Sequence, residues 1–176
     1  MKDINELIKK FNSFFQEKAV LTRKYKQQYQ IVTGRDELLG ILNWCKQYSF
    51  YHLANIVCVD WLEDEEFELV YNLWSYEFKI GCLVKIRIPR ARPWAPTVFE
   101  LWGQAQVYEQ EIHEFFGVYF PGNPDLSSLF LHNWHDLPPL RKDFDPVEYS
   151  RQAYTVEGLG VKPEYEKEDN SEGRES

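Results

Sequence analysis

The sequence predicts an α+β fold: a mixed or antiparallel sheet packed with two or three helices, followed by an irregular C-terminal arm rich in proline and aromatic residues. Three patterns carry that expectation. Apolar residues recur at helical spacing in separate stretches, consecutive runs in the middle of the chain are dense in β-branched and aromatic residues, and proline and aromatic residues dominate after residue 117.

The elements follow in chain order. Ile4, Leu7, Ile8, Phe11, Phe14 and Phe15 form one stripe, which predicts an amphipathic helix over 4–17. The stretch "LTRKYKQQYQIVT" (21–33) holds β-formers with imperfect alternation and reads as a strand. From Asp36 to Gln47 the residues Leu38, Leu39, Leu42 and Cys45 return to helical spacing, with Gly40 weakening the helix slightly. "NIVCVDWLE", "FELVYNLWS" and "FKIGCLVKIRIP" read as an antiparallel meander across 55–88, the last alternating Val84, Ile86 and Ile88 against Lys85 and Arg87. After the connector "PRARPWAP", the residues Leu101, Ala105, Tyr108, Ile112 and Phe115 predict a long helix over 98–116, closed by Gly117. The expected organisation is an α+β domain over 1–117, an extended docking arm over 118–160, and a charged tail over 161–176 that is too poor in apolar residues to order itself.

Composition excludes several functions. A chain of 176 residues suits one domain with its own core, and a formal charge of −8 argues against a general nucleic-acid binder, which needs clustered Lys and Arg. The N-terminal "MKDINELIKKFNSFFQEKAV" carries an acid from its third residue and no continuous apolar core, so no signal peptide is expected. No stretch approaches the ~20 apolar residues of a membrane helix. Cys45, Cys58 and Cys82 are scattered, without a Cys-x-x-Cys pair. They are expected to be buried and reduced, which fits a cytoplasmic setting, and they suggest neither an iron–sulfur cluster nor a structural zinc. Aromatic residues make up 16% of the chain, enough to serve both a core and an interface.

The densest chemistry lies in "VYEQEIHEFFGVYFPGNPDL" (107–126), which could be a catalytic carboxylate cluster, a metal site, or a surface that holds another protein. Advancing about 100° per residue from Leu101 places Glu109 and Glu111 on the flanks of the apolar stripe, with Gln110, His113 and Glu114 facing away from the sheet. Acid, base and metal ligands must converge, and these diverge. Glu111 with Glu114, or Glu109 with His113, could each supply two ligands, so a free-standing acidic enzyme or metal protein using Glu111, His113 and Glu114 is the rival reading. Acidic residues near a helix C-terminus oppose the macrodipole, and a basic segment is expected to compensate them. "WHDLPPLRKDFDP" supplies Arg141 and Lys142 after a double proline that stiffens the chain, placing Arg141 to grip a carboxylate. His132 and His135, in "HNWH", read as a loop pair.

"PTVFELW" (96–102), "YEQEIHEFFGVYFPGNPDL" (108–126) and "LPPLRKDFDP" (137–146) together resemble the thirty-kilodalton subunit family of respiratory complex I, also called the C subunit of NADH-quinone oxidoreductase. That family also occurs in membrane-bound, energy-converting nickel–iron hydrogenases and formate hydrogenlyases. The residues that match its pattern are Glu109, Glu111, Phe116, Gly117, Gly122, Pro124, Asp125, Leu126, Pro139, Leu140, Arg141, Lys142, Asp143 and Phe144. Three positions depart from it: Gln110 replaces the motif arginine, Glu114 the aspartate, and Pro138 the histidine before Pro-Leu-Arg-Lys. A charge lost inside that helix implies a changed partner surface, which leans toward the hydrogenase-like and related archaeal and bacterial relatives.

The resemblance implies a non-catalytic, cofactor-free structural subunit of a membrane-associated oxidoreductase, held peripherally on the cytoplasmic face of the cell membrane through its partners. Those partners would be the large complex I or nickel–iron hydrogenase-like subunit, an iron–sulfur small subunit and, indirectly, membrane subunits; nucleic acid is not among them. The expected interface comprises Glu109, Glu111, Glu114, Tyr119, Phe120, Trp134, Arg141, Lys142, Asp143 and Phe144, on a frame of Gly117, Gly122, Pro124, Asp125, Leu126, Pro139 and Leu140. Tyr119, Phe120, Trp134 and Phe144 are expected to be accessible anchors. Arg141 and Asp143 are expected to meet opposite charge on a partner or at Glu109, Glu111 or Glu114. No catalytic, cofactor or metal residue is expected.

Overall fold

The computed structural model describes residues 4–153, so the expected charged tail and the end of the expected arm lie outside the described residues. The apolar stripe at the N-terminus forms α1 (Ile4–Phe15), which buries Leu7, Phe11 and Phe15. The single strand expected over 21–33 is a hairpin, β1 (Ala19–Tyr25) and β2 (Gln28–Thr33). Its alternation breaks at the polar "KYKQQ" because the chain reverses there, and Arg23 holds the turn by donating to the carbonyls of Tyr25 and Lys26. The second helix, α2 (Leu38–Gln47), buries Leu38, Ile41, Leu42, Trp44 and Cys45. The meander follows as β3 (His52–Trp61), β4 (Glu66–Ser75) and β5 (Ile80–Pro89).

These strands form one mixed sheet of order β1-β2-β5-β4-β3, in which β2 and β5 run parallel and the other pairs antiparallel. Alternation gives it two unlike faces. In β4 every second side chain, Phe67, Leu69, Tyr71, Leu73 and Ser75, is buried. The opposite face carries cross-strand charges, with Lys85 on Glu68 at 2.8 Å and Arg87 on Asp64 and Glu66 at 2.7 and 3.0 Å. Phe11 from α1 packs edge-on against Trp44 of α2, and residues of both helices share one apolar core with Tyr29, Ile31 and Cys82 of the sheet. All three cysteines are buried and free. Contact with Cys82 and burial raise the Cys45 thiol, and burial with nearby Asp60 raises Cys58, so these thiols stay protonated packing groups.

The long helix expected over 98–116 is shorter, α3 (Ala105–Phe116). Residues 98–104 form successive turns instead, with the Val98 carbonyl accepting the Leu101 and Trp102 amides, and Gly103 adds no helical preference. Gly117 closes α3 at φ 77°, with its amide on the His113 carbonyl. The α3 helix runs along β3, and the chain then returns over the other side of α3. The described residues fall into two units that divide between Phe144 and Asp145. In the second, α4 (Pro146–Ala153) is capped by Asp145, whose carboxylate accepts the Val147 and Glu148 amides, with Pro146 at the first helical position.

Gly122 has φ 93°, and a Cβ built there would lie 2.9 Å from the Thr97 methyl. Gly122→Ala is therefore expected to destabilise the chain by about 1–3 kcal/mol. Gly103→Ala meets nothing within 4 Å and is expected to be neutral or slightly stabilising. Urea unfolding of both variants beside the parent chain checks the contrast.

Candidate partner interface

The segment after α3 is tied to the rest of the chain at its start by Glu109. This carboxylate has no solvent exposure. It accepts the Thr97 hydroxyl at 2.6 Å, the Val98 amide at 2.7 Å and the Asn123 side-chain amide at 2.8 Å. Burial pushes its pKa above the usual Glu value, against the three donors that favour the charged form. The connector 93–97 pairs with 119–121 beside this site: Tyr119 donates to the Pro93 carbonyl, Ala95 to the Tyr119 carbonyl and Thr97 to the Pro121 carbonyl. In that extended pairing successive side chains point opposite ways, so Tyr119 is 54% exposed while Phe120 is fully buried.

At its other end the segment is held by the sheet. Asp60, at the inward end of β3, lies 2.8 Å from the Arg90 guanidinium and accepts the Lys142 amide at 2.8 Å. Arg90 also reaches Asp143 at 2.8 Å, and Arg141 pairs with the same carboxylate at 3.1 Å. Both guanidinium groups sit over the Phe67 ring, 5.3 and 5.5 Å from its centroid. Burial opposes the charge on Arg90, but Asp60 and Asp143 outweigh it and hold its pKa above the ordinary value. Burial likewise opposes ionisation of Asp143, and Arg141 with Arg90 overrules it, so Asp143 stays below the usual carboxylate value.

Between these anchors α3 holds the arm directly. Gln110 donates to the Ser127 carbonyl at 2.6 Å, Glu114 accepts the Phe130 and Leu131 amides, and the Leu140 amide donates to the Phe115 carbonyl. Asp125 accepts the Ser127 amide, which lowers its pKa, and Leu126 packs on the core. Trp134 packs against Phe144 at 5.4 Å and donates from its indole to the Asp136 and Leu137 carbonyls.

The structure therefore corrects several expectations. Gln110 faces away from the sheet as expected, yet it is buried because the arm crosses that side of α3. Phe120 and Glu109 are fully buried within this chain and present no accessible anchor. Asp143 meets Arg141 and Arg90 rather than Arg141 meeting Glu109, Glu111 or Glu114, because beyond Leu140, which bonds the end of α3, the arm runs on to the sheet end at Asp60 and Arg90. Tyr119 is exposed as expected, Glu111 and Lys142 are solvent-facing, and Trp134 and Phe144 are half-buried against one another. Among Gly117, Gly122, Pro124, Pro139 and Leu140, the two glycines take positive φ, while Pro124 and Leu140 are exposed.

Asp60, Arg90, Thr97 and Asn123 escape sequence reasoning, as do the exposed Phe130 and Leu137. One signal for Asp60 existed: it follows Ile56 and Cys58 on the inward phase of β3, where a charge needs a buried partner. Phe130, 68% exposed, stacks on Phe115 with the rings 25° apart, and it joins Tyr119, Leu137 and Leu140 among the exposed apolar side chains of the arm. Of the rival enzyme residues, His113 contacts the Val118 carbonyl through Nδ1 and Glu114 binds arm amides, while both line a cleft of about 170 Å³ that does not include Glu111. Among the described residues no group of three or more His, Cys, Asp or Glu could hold a metal ion, and no helix is long and apolar enough to cross a membrane.

An α+β domain whose motif residues strap down a surface arm defines a subunit-type protein, built around its contacts. The family model described as "Respiratory-chain NADH dehydrogenase, 30 Kd subunit" matches residues 31–150, and the chain belongs to that family. It is 37% identical over 115 residues to the C subunit of NADH-quinone oxidoreductase from Moorella thermoacetica, covering 65% of this chain and 78% of that protein. It is 34% identical over 102 residues to the C subunit of F(420)H(2) dehydrogenase from Methanosarcina mazei, covering 55% of this chain and 62% of the relative. A chain in the solved structure of the membrane-bound sulfane sulfur reductase, an archaeal respiratory membrane complex, matches with a TM-score of 0.80 at 28% identity, covering 93% of this chain and 98% of that one.

Two substitutions test the anchors. Asp60→Ala leaves the nearly buried Arg90 with Asp143 alone and frees the Lys142 amide, and is expected to cost about 1–3 kcal/mol in unfolding free energy. Asp64→Ala, on the exposed face, is expected to cost less than about 1 kcal/mol.

The two shifted carboxylates give opposite pH dependences. Asp143 is held below its ordinary 3.8, so its contribution is present above that value and is lost as pH falls through it toward the lower folded value. Glu109 is held above 4.5, so its contribution is complete below that value and is lost as pH rises through the folded value. Unfolding free energies measured across acid pH are expected to lose the first slope in Asp143→Asn and the second in Glu109→Gln.

Proposed function

We propose that this chain is a non-catalytic structural subunit of a membrane-associated respiratory oxidoreductase, docking through its arm on the large subunit of a complex I-like or nickel–iron hydrogenase-like assembly. Membership of the thirty-kilodalton subunit family carries this reading. The relatives' names support it further. Proteins of this kind are named for NADH and quinone, for F(420)H(2), and for an assembly that reduces sulfane sulfur. One fold recurring with different electron donors and acceptors fits a part whose chemistry is supplied by other chains. The iron–sulfur small subunit and, indirectly, the membrane subunits complete the proposed neighbourhood, with the complex attached at the cytoplasmic face of the membrane.

Geometry supplies the docking surface. The arm is fixed at Glu109 and at Asp60, so its course is set before any partner arrives and little ordering remains to oppose association. It holds Tyr119, Phe130, Leu137 and Leu140 outward, which are apolar groups that a partner can cover. Arg141 acts here as a positioning residue, because it shares Asp143 with Arg90 and holds the arm in place.

Phe130→Asp and Leu140→Asp are expected to cost assembly about 2 kcal/mol or more, read as loss of co-purification with the large subunit, because they charge a covered apolar contact. Leu140→Asp is expected to leave the unfolding free energy of the isolated chain within about 0.5 kcal/mol of the parent, and Phe130→Asp, which also loses the stack on Phe115, to lower it by about 0.5–1.5 kcal/mol. Normal assembly of both variants would refute docking through the arm.

A further inference from the structure

The two edges of the sheet are finished differently. At the start of β3 the chain covers its own edge: the Trp102 indole donates to the Tyr51 carbonyl at 2.7 Å, the Gln104 amide to Leu53 at 3.2 Å and the Tyr108 hydroxyl to Ala54 at 3.0 Å. On the other side, among the described residues, β1 pairs with β2 alone. Among the described residues, the side-chain bonds to its backbone are local ones, from Arg23 to the Tyr25 and Lys26 carbonyls at the turn. The residues from Thr22 to Gln27 are all exposed, and Val20 and Tyr25 are 59% and 72% exposed. An open strand edge presents a row of unpaired amides and carbonyls, which is a template for another strand.

We propose that β1 is a docking edge, onto which a neighbouring subunit of the complex lays an acidic, extended segment as an added strand. Charge selects that occupant. Lys18, Arg23, Lys24 and Lys26 gather on and beside this strand in a chain of net charge −8. A second copy pairing through β1 would bring the same cations together across the ladder, which disfavours it. A lipid surface or a nucleic acid would meet the cations yet leave the backbone row unmatched. An acidic strand satisfies both, with main-chain bonds supplying affinity and cross-strand charge fixing register. The edge is separate from the arm, so the chain would hold its assembly at two places. This proposal rests on the reading of the chain as a subunit.

The test is amide hydrogen exchange in peptides covering residues 19–25, measured on the full chain alone and on the complex isolated from its native membranes. The amides of this stretch that point away from β2 are expected to exchange fast in the free chain and to be slowed about tenfold or more in the complex, while those bonded to β2 are protected in both. A Lys24→Glu/Lys26→Glu chain, which keeps the Arg23 turn contacts, is expected to lose that protection and to be recovered with the complex less often. Equal exchange of the outward amides in free and assembled chain would overturn the proposal. So would their protection already in the dilute free chain, where residues of this chain itself would cover the edge. Protection that rises with chain concentration would assign the edge to a second copy and also overturn it. If the chain enters no complex, the subunit reading falls as well, whereas normal assembly with an unprotected β1 removes this inference alone.

Discussion

The buried carboxylate of Glu109 is the constraint on which the surface architecture depends. A charge without solvent exposure is tolerated only where donors surround it, and the cost of leaving it bare is several kcal/mol. Thr97, Val98 and Asn123 supply those donors from two segments besides α3. Bringing them together fixes the connector against the turn after Gly117, which sets the pairing of 93–97 with 119–121. That pairing in turn decides that Phe120 enters the core and Tyr119 leaves it. One side chain thus propagates through three segments without any regular secondary structure between them.

Asp60 and Arg90 perform the corresponding task at the far end of the arm. Asp60 breaks the apolar inward phase of β3, a placement that costs stability unless a cation and an amide meet it. Arg90, just beyond β5, and Lys142, from the arm, do so, and Asp143 with Arg141 extends the network over the Phe67 ring. The irregular stretch 118–144 gives Val118 and Phe120 to the core and packs Leu126 on it, and the rest of its order comes from these polar anchors and from α3. The consequence is a strap with a defined outer surface, able to offer aromatic and aliphatic groups with the ordering entropy already met within the chain.

Much of the fold was legible because its signals are local. The stripe from Ile4 to Phe15, the alternation of β4 and β5, and Gly117 as the end of a helix each depend on residues a few positions apart. The resemblance to the thirty-kilodalton subunit family was equally legible, since its motifs are short and ordered along the chain. Local signals failed at two segments. Residues 98–104 carry helical spacing, yet they fold as successive turns and the helix begins only at Ala105. The hairpin of β1 and β2 reads as one strand in the sequence because both halves share the same β-forming composition.

The sequence by itself determined the periodic elements, the acidic balance and the family, all properties of composition and of spacing over one or two turns. Only the tertiary structure decided which side of α3 is buried. The wheel turns Gln110 away from the sheet, and the arm lies across that side and closes it. Tertiary structure also decided the partners of the arm's charges, since Asp143 meets Arg90 across 53 residues of chain and no periodicity operates over such a distance. The physical reason is that burial of a polar group is a property of everything packed around it, whereas a helical or strand pattern is written within its own few residues.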